Sequence, residues 1–436
     1  MEKILILGLS KSGIAAAEAV HNRGGDAYLS EYAAPKEEFI QKMKELESKG
    51  IHIQTGGHTD DFIEGSKYTI TSPGIPPKAP IIQKLKKLNI PIISEIEYAF
   101  LNTQTPFIII TGTNGKTTTT MLISHILSKK YSAPVCGNIG IPPTSLLDEK
   151  NDFFVCEVSS FQAEMTQKFR GKIAVFTNFT PDHLDWHEGL DNYFKAKAKL
   201  FSGPQAPDFV VLNYKDKKLL EFSKKCENVV FFDDENEKDC YIKDDFIIYK
   251  KEKIISLKEC PLIGHHNYQN IMSAIIVTKL IGMSNEDIKE RIMSFKAPEH
   301  RIEKVREFNG ITFYDDSKAT NPESTIVAIN SFNNEDVALI LGGKDKKTDL
   351  TEMCKLINEK IKYVILIGEA TQRFEENLRK NGFNNIEKEK SLENAIDKAI
   401  SLKPKVILLS PACASYDMFK NFEERGDAFK KYVLSK

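Results

Sequence analysis

The residues best suited to chemistry begin at Thr111-Gly112-Thr113-Asn114-Gly115-Lys116-Thr117-Thr118, which follows the apolar run Phe107-Ile108-Ile109-Ile110. Glycines at 112 and 115 let backbone N–H groups close on an anion, Lys116 supplies positive charge for phosphate, and the Thr117 hydroxyl is a ligand type that Mg²⁺ accepts. The common spacing G-x-x-x-x-G-K-[ST] asks for glycine at position 110, where this chain has Ile110. The loop therefore reads as a variant phosphate loop, with an ordinary strand-to-helix turn as the alternative. Glu157 closes the apolar run Phe153-Phe154-Val155-Cys156. A carboxylate one strand away from a phosphate loop suits Mg²⁺; a solvated strand-end glutamate is the alternative. His183 follows another apolar run, Ile173-Ala174-Val175-Phe176, and is a second candidate metal ligand, with a structural histidine as the alternative. At helical spacing Lys195 and Lys199 share a face while Lys197 points about 200° away. A solvated basic face accounts for the outer pair, and Lys197 needs another account. Asn267 and Asn270 lie three apart on one helical face, suited to a base or phosphate, although capping also explains Asn267.

Strands must carry these groups and turns must expose them. At the start, Ile4-Leu5-Ile6-Leu7, Gly8-Leu9-Ser10-Lys11-Ser12-Gly13 and an alanine-rich helix over 14–22 form a strand-turn-helix unit, and a second strand over 27–30 ends at Glu31. This is Rossmann-like, with the acidic residue where such folds hold a ribose. Ser10 replaces the middle glycine of G-x-G-x-x-G, so a diphosphate other than a nicotinamide or flavin dinucleotide is the preferred ligand, against a purely structural turn. Thr71-Ser72-Pro73-Gly74-Ile75-Pro76 closes a further strand at the ligand edge. A change of texture at 93–106 marks a first boundary and a linker near Phe295-Lys296-Ala297-Pro298-Glu299-His300-Arg301 a second. Between 208 and 261 a strand over 209–212 leads into a charged, hairpin-like peripheral stretch. Strands over 311–314, 337–341, 363–367 and 406–409 predict a second Rossmann-like domain with a mostly parallel sheet. Polar loops follow three of them: Asp315-Asp316-Ser317-Lys318-Ala319-Thr320-Asn321, Gly342-Gly343-Lys344-Asp345-Lys346 and Ser410-Pro411-Ala412-Cys413-Ala414-Ser415. Lys344, Lys346 and Lys347 also fit a merely solvated loop.

The fold class expected is α/β in three domains, which 436 residues can accommodate. They are a Rossmann-like domain over 1–93, a central phosphate-loop (P-loop) ATPase-type domain over 94–298 and a Rossmann-like domain over 299–436. Sixty basic residues against 61 acidic ones, a net charge of -1, give no electrostatic footprint for nucleic acid or an anionic membrane. Seven cysteines without a C-x-x-C pair point to reduced thiols and neither a disulfide frame nor a zinc site. No signal peptide or membrane span is read, and a cytoplasmic monomer is expected.

The phosphate loop, the His300-Arg301 pair, Asp316-Ser317-Lys318-Ala319-Thr320-Asn321 and the C-terminal strand-helix segment together resemble the Mur ligases, ATP-dependent amide-forming enzymes of cell-wall precursor synthesis. Within that family, Leu409-Ser410-Pro411-Ala412-Cys413-Ala414-Ser415-Tyr416-Asp417-Met418-Phe419-Lys420-Asn421-Phe422-Glu423-Glu424-Arg425-Gly426 is similar to the D-glutamate-adding members. The resemblance spans the chain and is weakest in the first domain and over 214–260. It implies ATP, D-glutamate and UDP-N-acetylmuramoyl-L-alanine as reactants, an acyl-phosphate intermediate, and a last domain that closes over ATP.

Residue by residue, the resemblance gives Gly112, Thr113, Asn114, Gly115, Lys116, Thr117, Thr118, Asn267, Asn270, Arg301 and Asp316 to ATP. It gives Thr117 and Glu157 to a first Mg²⁺, and His183 and Lys197 to a second. Tyr193-Phe194-Lys195-Ala196-Lys197 is similar to the family's Y-x-x-A-K motif, whose lysine carries a CO₂-derived carbamate. Lys318 would lie near the reacting groups, and Thr320, Lys346, Ser415 and Phe422 would hold D-glutamate. Ser10, Lys11, Ser12 and Glu31 would take the uridine diphosphate, with Ser72, Asn138, Gln162 and His183 further along the substrate. Ser10, Lys11 and Glu31 depart from the family's pattern. Another Mur-type or folylpolyglutamate-type ligase is the nearest alternative; a P-loop switch or motor would leave both flanking domains idle.

Overall fold

The computed structural model of the protein describes residues 1–35, 37–182, 184–262, 264–296, 299–332, 336–345 and 347–436. They fall into two compact units, 1–260 with 267–295, and 261–266 with 296–436. His183 and Lys346 lie outside the described residues.

The first unit contains two sheets. One is parallel throughout, with β1 (Lys3–Leu7), β2 (Asp26–Glu31), β3 (His52–Thr55), β4 (Tyr68–Thr71) and β5 (Ile92–Ser94) in the order β3-β2-β1-β4-β5. Strand β1 is apolar at consecutive positions because both of its faces are covered. Ile4 and Ile6 pack with the alanines of helix Lys11–Asn22, while Leu5 and Leu7 pack with Ile82 and Leu85 of helix Pro80–Lys87. Strand order reverses between β1 and β4, and this opens a crevice at their carboxyl ends.

The other sheet has nine strands: β6 (Phe107–Thr111), β7 (Val135–Gly137), β8 (Phe154–Glu157), β9 (Ile173–Phe176), β10 (Phe209–Asn213), β11 (Val229–Asp233), β12 (Cys240–Lys243), β13 (Phe246–Tyr249) and β14 (Glu252–Ser256). Their order is β14-β13-β12-β11-β10-β9-β6-β8-β7. β6 lies between β8 and β9, so Ile108, Ile109 and Ile110 are fully buried and the phosphate loop emerges at the sheet centre. The strand expected over 209–212 is β10, and the hairpin-like reading of the stretch after it holds only for its later part. The earlier part, helix Lys217–Ser223 and β11, forms a parallel unit with β10, and only β12–β14 turn back on themselves. Their tight turns use Asp244-Asp245 and Lys250-Lys251, with φ of 50° and 59°, and 45° and 74°.

The second unit contains β15 (Glu303–Phe308), β16 (Ile311–Asp315), β17 (Val337–Gly342), β18 (Tyr363–Ile367), β19 (Ile386–Lys388) and β20 (Val406–Leu409), ordered β15-β16-β20-β17-β18-β19. All pairs are parallel except β15 with β16, which matches the expected second Rossmann-like sheet. β15 and β19 were not read from the sequence. The β15–β16 turn is Asn309-Gly310, with φ of 52° and 76°, which is the strongest short hairpin signal a sequence offers. Three sheet-centred α/β bodies thus agree with the three-domain fold class.

Helix Glu95–Leu101 is tied into the central sheet's surroundings by two buried carboxylates. Glu97 accepts from the backbone N–H groups of Gln167, Lys168 and Phe169 at 2.8, 2.8 and 2.9 Å. Glu95 accepts from the N–H and hydroxyl of Thr144 at 2.8 and 2.5 Å, and burial pushes its pKa up to about 7. Glu97→Ala would leave three backbone donors without their acceptor. We expect a loss of about 3 kcal/mol or more, measured by urea unfolding, because each stranded donor costs about 1–3 kcal/mol.

Candidate active site

The phosphate loop is shaped by its neighbours before any ligand arrives. Gly112 has φ of +144°, and a Cβ there would lie 2.0 Å from Thr177 Oγ1. At Gly115, with φ of +82°, a Cβ would lie 2.4 Å from Asn270 Oδ1. The loop after β9 braces it: Asn114 N–H donates to Asn178 Oδ1 at 2.9 Å, Thr113 N–H to Asn178 O at 3.0 Å, and Thr177 Oγ1 to Asn114 O at 2.6 Å. Helix Lys116–Leu127 then presents its N-terminus to the loop. Lys116 Nζ folds back onto the carbonyls of Gly112 and Thr113 at 3.0 and 2.8 Å. Asn267 and Asn270 do share a face. Asn270 Nδ2 donates to Asn267 Oδ1 at 3.4 Å, and Asn270 Oδ1 accepts from Thr119 at 3.2 Å, which brings both to the loop. The hydroxyl of Thr118 is buried with no hydrogen-bond partner among the described residues.

Lys197 sits where the helical spacing predicts. Helix Leu190–Ala198 leaves Lys195 exposed and buries Lys197 to 1% exposure. Lys197 Nζ donates to Gly112 O at 2.8 Å, over the ring of Tyr193. Burial, and then the positive charge of Lys116, hold its pKa well below that of an ordinary lysine. Lys199 is not simply solvated: its amine donates to the backbone carbonyls of Glu164 and Thr166.

Glu157, at the end of β8, is 1% exposed. Its Oε1 accepts from Asn138 Nδ2 at 2.7 Å, while Oε2 is buried with no hydrogen-bond partner among the described residues. A buried carboxylate oxygen of this kind, at the end of the strand that pairs with the phosphate-loop strand, fits a hard divalent cation such as Mg²⁺.

At the β1–β4 crevice, Ser10, Ser12 and Ser72 form a cluster of hydroxyls, with Ser10 Oγ 3.1 Å from Ser12 Oγ and 3.0 Å from Ser72 Oγ. Ser10 also caps helix Lys11–Asn22. The cluster is compact because Gly8 and Gly13 have no side chains; a Cβ on Gly13 would lie 1.9 Å from Gly8 O. Lys11 is exposed at the same edge. Glu31 is held in place, with its carboxylate accepting from Leu9 N–H at 2.8 Å and Ala33 N–H at 3.1 Å. Gln162 serves in a capping box in which its Oε1 accepts from Ser159 N–H and Oγ, both at 3.0 Å, so its amide N–H groups are what it can offer a ligand.

The second unit gathers Arg301, Asp316, Lys318, Thr320, Ser415 and Phe422 at the carboxyl ends of β16 and β20. Asp316 accepts from Ser410 Oγ at 2.7 Å and from Ile302 N–H at 3.2 Å. Burial raises its pKa to about 7 against the pull of Ser410 and Arg301. Lys318 Nζ lies 5.2 Å from the Phe422 ring. His300, Glu303 and Asp315 converge, but His300 Nδ1 already hydrogen-bonds Asp315 Oδ2 at 2.7 Å. Burial opposes charge on this imidazole, yet Asp315 keeps its pKa above the ordinary value.

Sequence reasoning missed Arg425. It is 1% exposed, and its guanidinium donates to Ser317 Oγ and O at 2.9 and 2.8 Å and to Cys413 O at 3.1 Å. It therefore joins the loop that bears Lys318 and Thr320 to the loop that bears Ser415. Its signal was positional: Arg425 falls on the buried stripe of helix Phe422–Ser435 with Phe429 and Val433.

These features define an α/β nucleotide-using enzyme with a phosphate loop in the central sheet and polar loops at the edge of a second Rossmann-like sheet. Three family models match in succession: the Mur ligase MurD-like N-terminal domain over 2–94, the Mur ligase middle domain over 110–278, and the Mur ligase glutamate ligase domain over 300–413. The chain belongs to the Mur ligase family. It is 37% identical over 445 residues to the UDP-N-acetylmuramoylalanine--D-glutamate ligase of Caldanaerobacter subterraneus subsp. tengcongensis, covering 99% of this chain and 98% of the relative. Against the ligase of the same name from Bacteroides fragilis it is also 37% identical, covering 99% of each. Among solved structures, the UDP-N-acetylmuramate-alanine ligase of Thermotoga maritima aligns over 100% of both chains with a TM-score of 0.64 at 19% identity. Folylpolyglutamate synthase of Mycobacterium tuberculosis aligns over 80% of this chain and 93% of its own with a TM-score of 0.59 at 14% identity. Both structures share the fold.

Asp316 yields a pH-dependent prediction. With a folded pKa near 7 against 3.8 for the ordinary group, the folded protein keeps a proton that the unfolded chain releases. Its contribution therefore falls as pH rises between these values and is lost above about 7. Asp316→Asn, which cannot ionise, should gain more stability over the parent at pH 8 than at pH 5.5 in urea unfolding.

Proposed function

We propose that this enzyme joins D-glutamate to UDP-N-acetylmuramoyl-L-alanine at the expense of ATP, in peptidoglycan precursor synthesis. The carboxylate of the nucleotide-sugar substrate attacks the γ-phosphorus, releasing ADP and forming an acyl phosphate. The amine of D-glutamate then displaces phosphate to give the amide. Both reactants are anionic, so the protein must screen charge and hold geometry more than supply covalent help. Lys116 and the loop amides from Gly112 to Thr118 hold the phosphates, while Asn267, Asn270, Arg301 and Asp316 hold the rest of ATP. Ser10, Lys11, Ser12 and Glu31 take the uridine diphosphate, and Ser72, Asn138, Gln162 and His183 line the path of the sugar-peptide. Lys318 acts near the reacting groups, and Thr320, Lys346, Ser415 and Phe422 hold D-glutamate. The domains run over 1–93, 94–298 and 299–436, and the enzyme works as a cytoplasmic monomer.

Mg²⁺, when bound, neutralises phosphate oxygens. Thr117 and Glu157 would hold one ion, and His183 with a modified Lys197 another. The neutral amine of Lys197 adds to CO₂ and loses a proton to become an anionic carbamate. The observation that carries the whole reading is this buried amine, 2.8 Å from the Gly112 carbonyl of a phosphate loop. A nucleotide switch has no use for it. Among the described residues no helix is long and apolar enough to cross a membrane.

Sustained ADP formation beyond one turnover should require both UDP-N-acetylmuramoyl-L-alanine and D-glutamate. Steady ATP hydrolysis without either, or turnover with a folate and L-glutamate instead, would overturn the assignment. Lys197→Ala should lower kcat about 100-fold or more. In ¹³CO₂-equilibrated protein the parent should give a carbamate carbon signal that fades as acid protonates the amine. The signal should be missing from the variant, and turnover near the parent level in Lys197→Ala would sink the carbamate.

A further inference from the structure

Glu157 is held by one neighbour at two points. β7 and β8 run parallel with Gly137 opposite Glu157. Just past the end of β7, Asn138 N–H donates to Glu157 O at 2.8 Å and Asn138 Nδ2 donates to Glu157 Oε1 at 2.7 Å. The amide orientation is forced, because a carboxylate only accepts. Such close pairing needs glycine before it: Gly137 has φ of +96°, and a Cβ there would lie 2.3 Å from Glu157 O. The loop beyond is pinned as well, by Gly137 N–H to Ile141 O at 3.1 Å and by Glu95 on Thr144.

Asn138 itself is exposed while Glu157 is 1% exposed. Water could satisfy the amide at no cost, so the group that benefits from the bond is the carboxylate. With Oε1 taken, Oε2 is left as the buried oxygen lacking a partner among the described residues. We infer that Asn138 is a positioning residue for the metal-binding carboxylate, fixing the Glu157 side chain so that a single oxygen is presented to the cation. This rests on the reading of Glu157 as a Mg²⁺ ligand, and it gives Asn138 a role beyond that of a substrate contact. Outer partners of this kind orient a ligand before the metal arrives, and their loss typically weakens metal binding about 10–100-fold.

The test uses the full chain with ADP present and Mn²⁺ as a paramagnetic stand-in for Mg²⁺, with bound ion measured by electron paramagnetic resonance. Asn138→Ala, and Asn138→Ser as a second variant whose hydroxyl is too short to reach, should each weaken Mn²⁺ binding about tenfold. Binding of ADP in the absence of metal, followed by equilibrium dialysis, should stay within about twofold of the parent. In a Glu157→Ala background the Asn138 change should have no further effect, because it acts through the missing carboxylate. Unchanged Mn²⁺ affinity in both Asn138 variants, or a loss that adds to that of Glu157→Ala, would overturn the inference and leave the metal reading of Glu157 intact. Parent-like Mn²⁺ affinity in Glu157→Ala would overturn that metal reading itself.

Discussion

The carbonyl oxygen of Gly112 receives two lysine amines, Lys116 at 3.0 Å and Lys197 at 2.8 Å. Two full charges so close, one of them out of water, repel strongly. Burial and the neighbouring Lys116 charge accordingly hold the Lys197 pKa well below that of an ordinary lysine, and much of the central domain shapes this enclosure. Helix Leu190–Ala198 brings Tyr193 against the loop, its hydroxyl 3.3 Å from Thr113 Oγ1, so the amine is enclosed by ring and backbone. The loop after β9 fixes Asn114 and Thr113 so that the carbonyls cannot swing away. The phosphate loop is thus kept in shape by amines that donate to its own carbonyls.

The second unit handles buried charge differently. His300 is matched with Asp315, and Asp316 is shielded by Ser410, so the acids that end β16 are largely accounted for internally. Arg425 has hydroxyl and carbonyl partners and, among the described residues, no carboxylate in hydrogen-bond contact. Burial pushes its pKa down to about 10, which still leaves it charged at neutral pH. A permanent cation thus ties the loop of Ser317 to the loop of Cys413.

How much of this could be read in the sequence depended on whether the signal was local. The phosphate loop, the strand ending at Glu157 and the inward turn of Lys197 follow from apolar runs, glycines and helical spacing, and the structure has the strand-loop-helix, the strand end and the buried lysine where they were expected. Strand β15 was missed although Asn309-Gly310 announces its turn, because its own pattern, Glu303 to Phe308, is charged and half-exposed. The turn at Lys250-Lys251 places two lysines in the left-handed region, which composition does not mark, whereas Asp244-Asp245 carries only the weak turn preference of aspartate. Arg425 and the double hold of Asn138 on Glu157 depend on register between segments distant in sequence, which no window of residues contains. Three hydroxyls from two loops meet at Ser72 for the same reason.

The short strands β12 to β14 also decide where the nine-stranded sheet stops. An open sheet edge is a template on which another chain can pair. β14 begins with exposed Glu252 and Lys253, and Glu252 is further tied to Lys279 and to Asn285 at the start of helix Asn285–Met293. A newly made copy approaching this edge would meet charge and a neighbouring helix instead of a bare row of amides. The charged start of β14 and the helix beside it therefore protect this edge of the nine-stranded sheet from pairing with another chain.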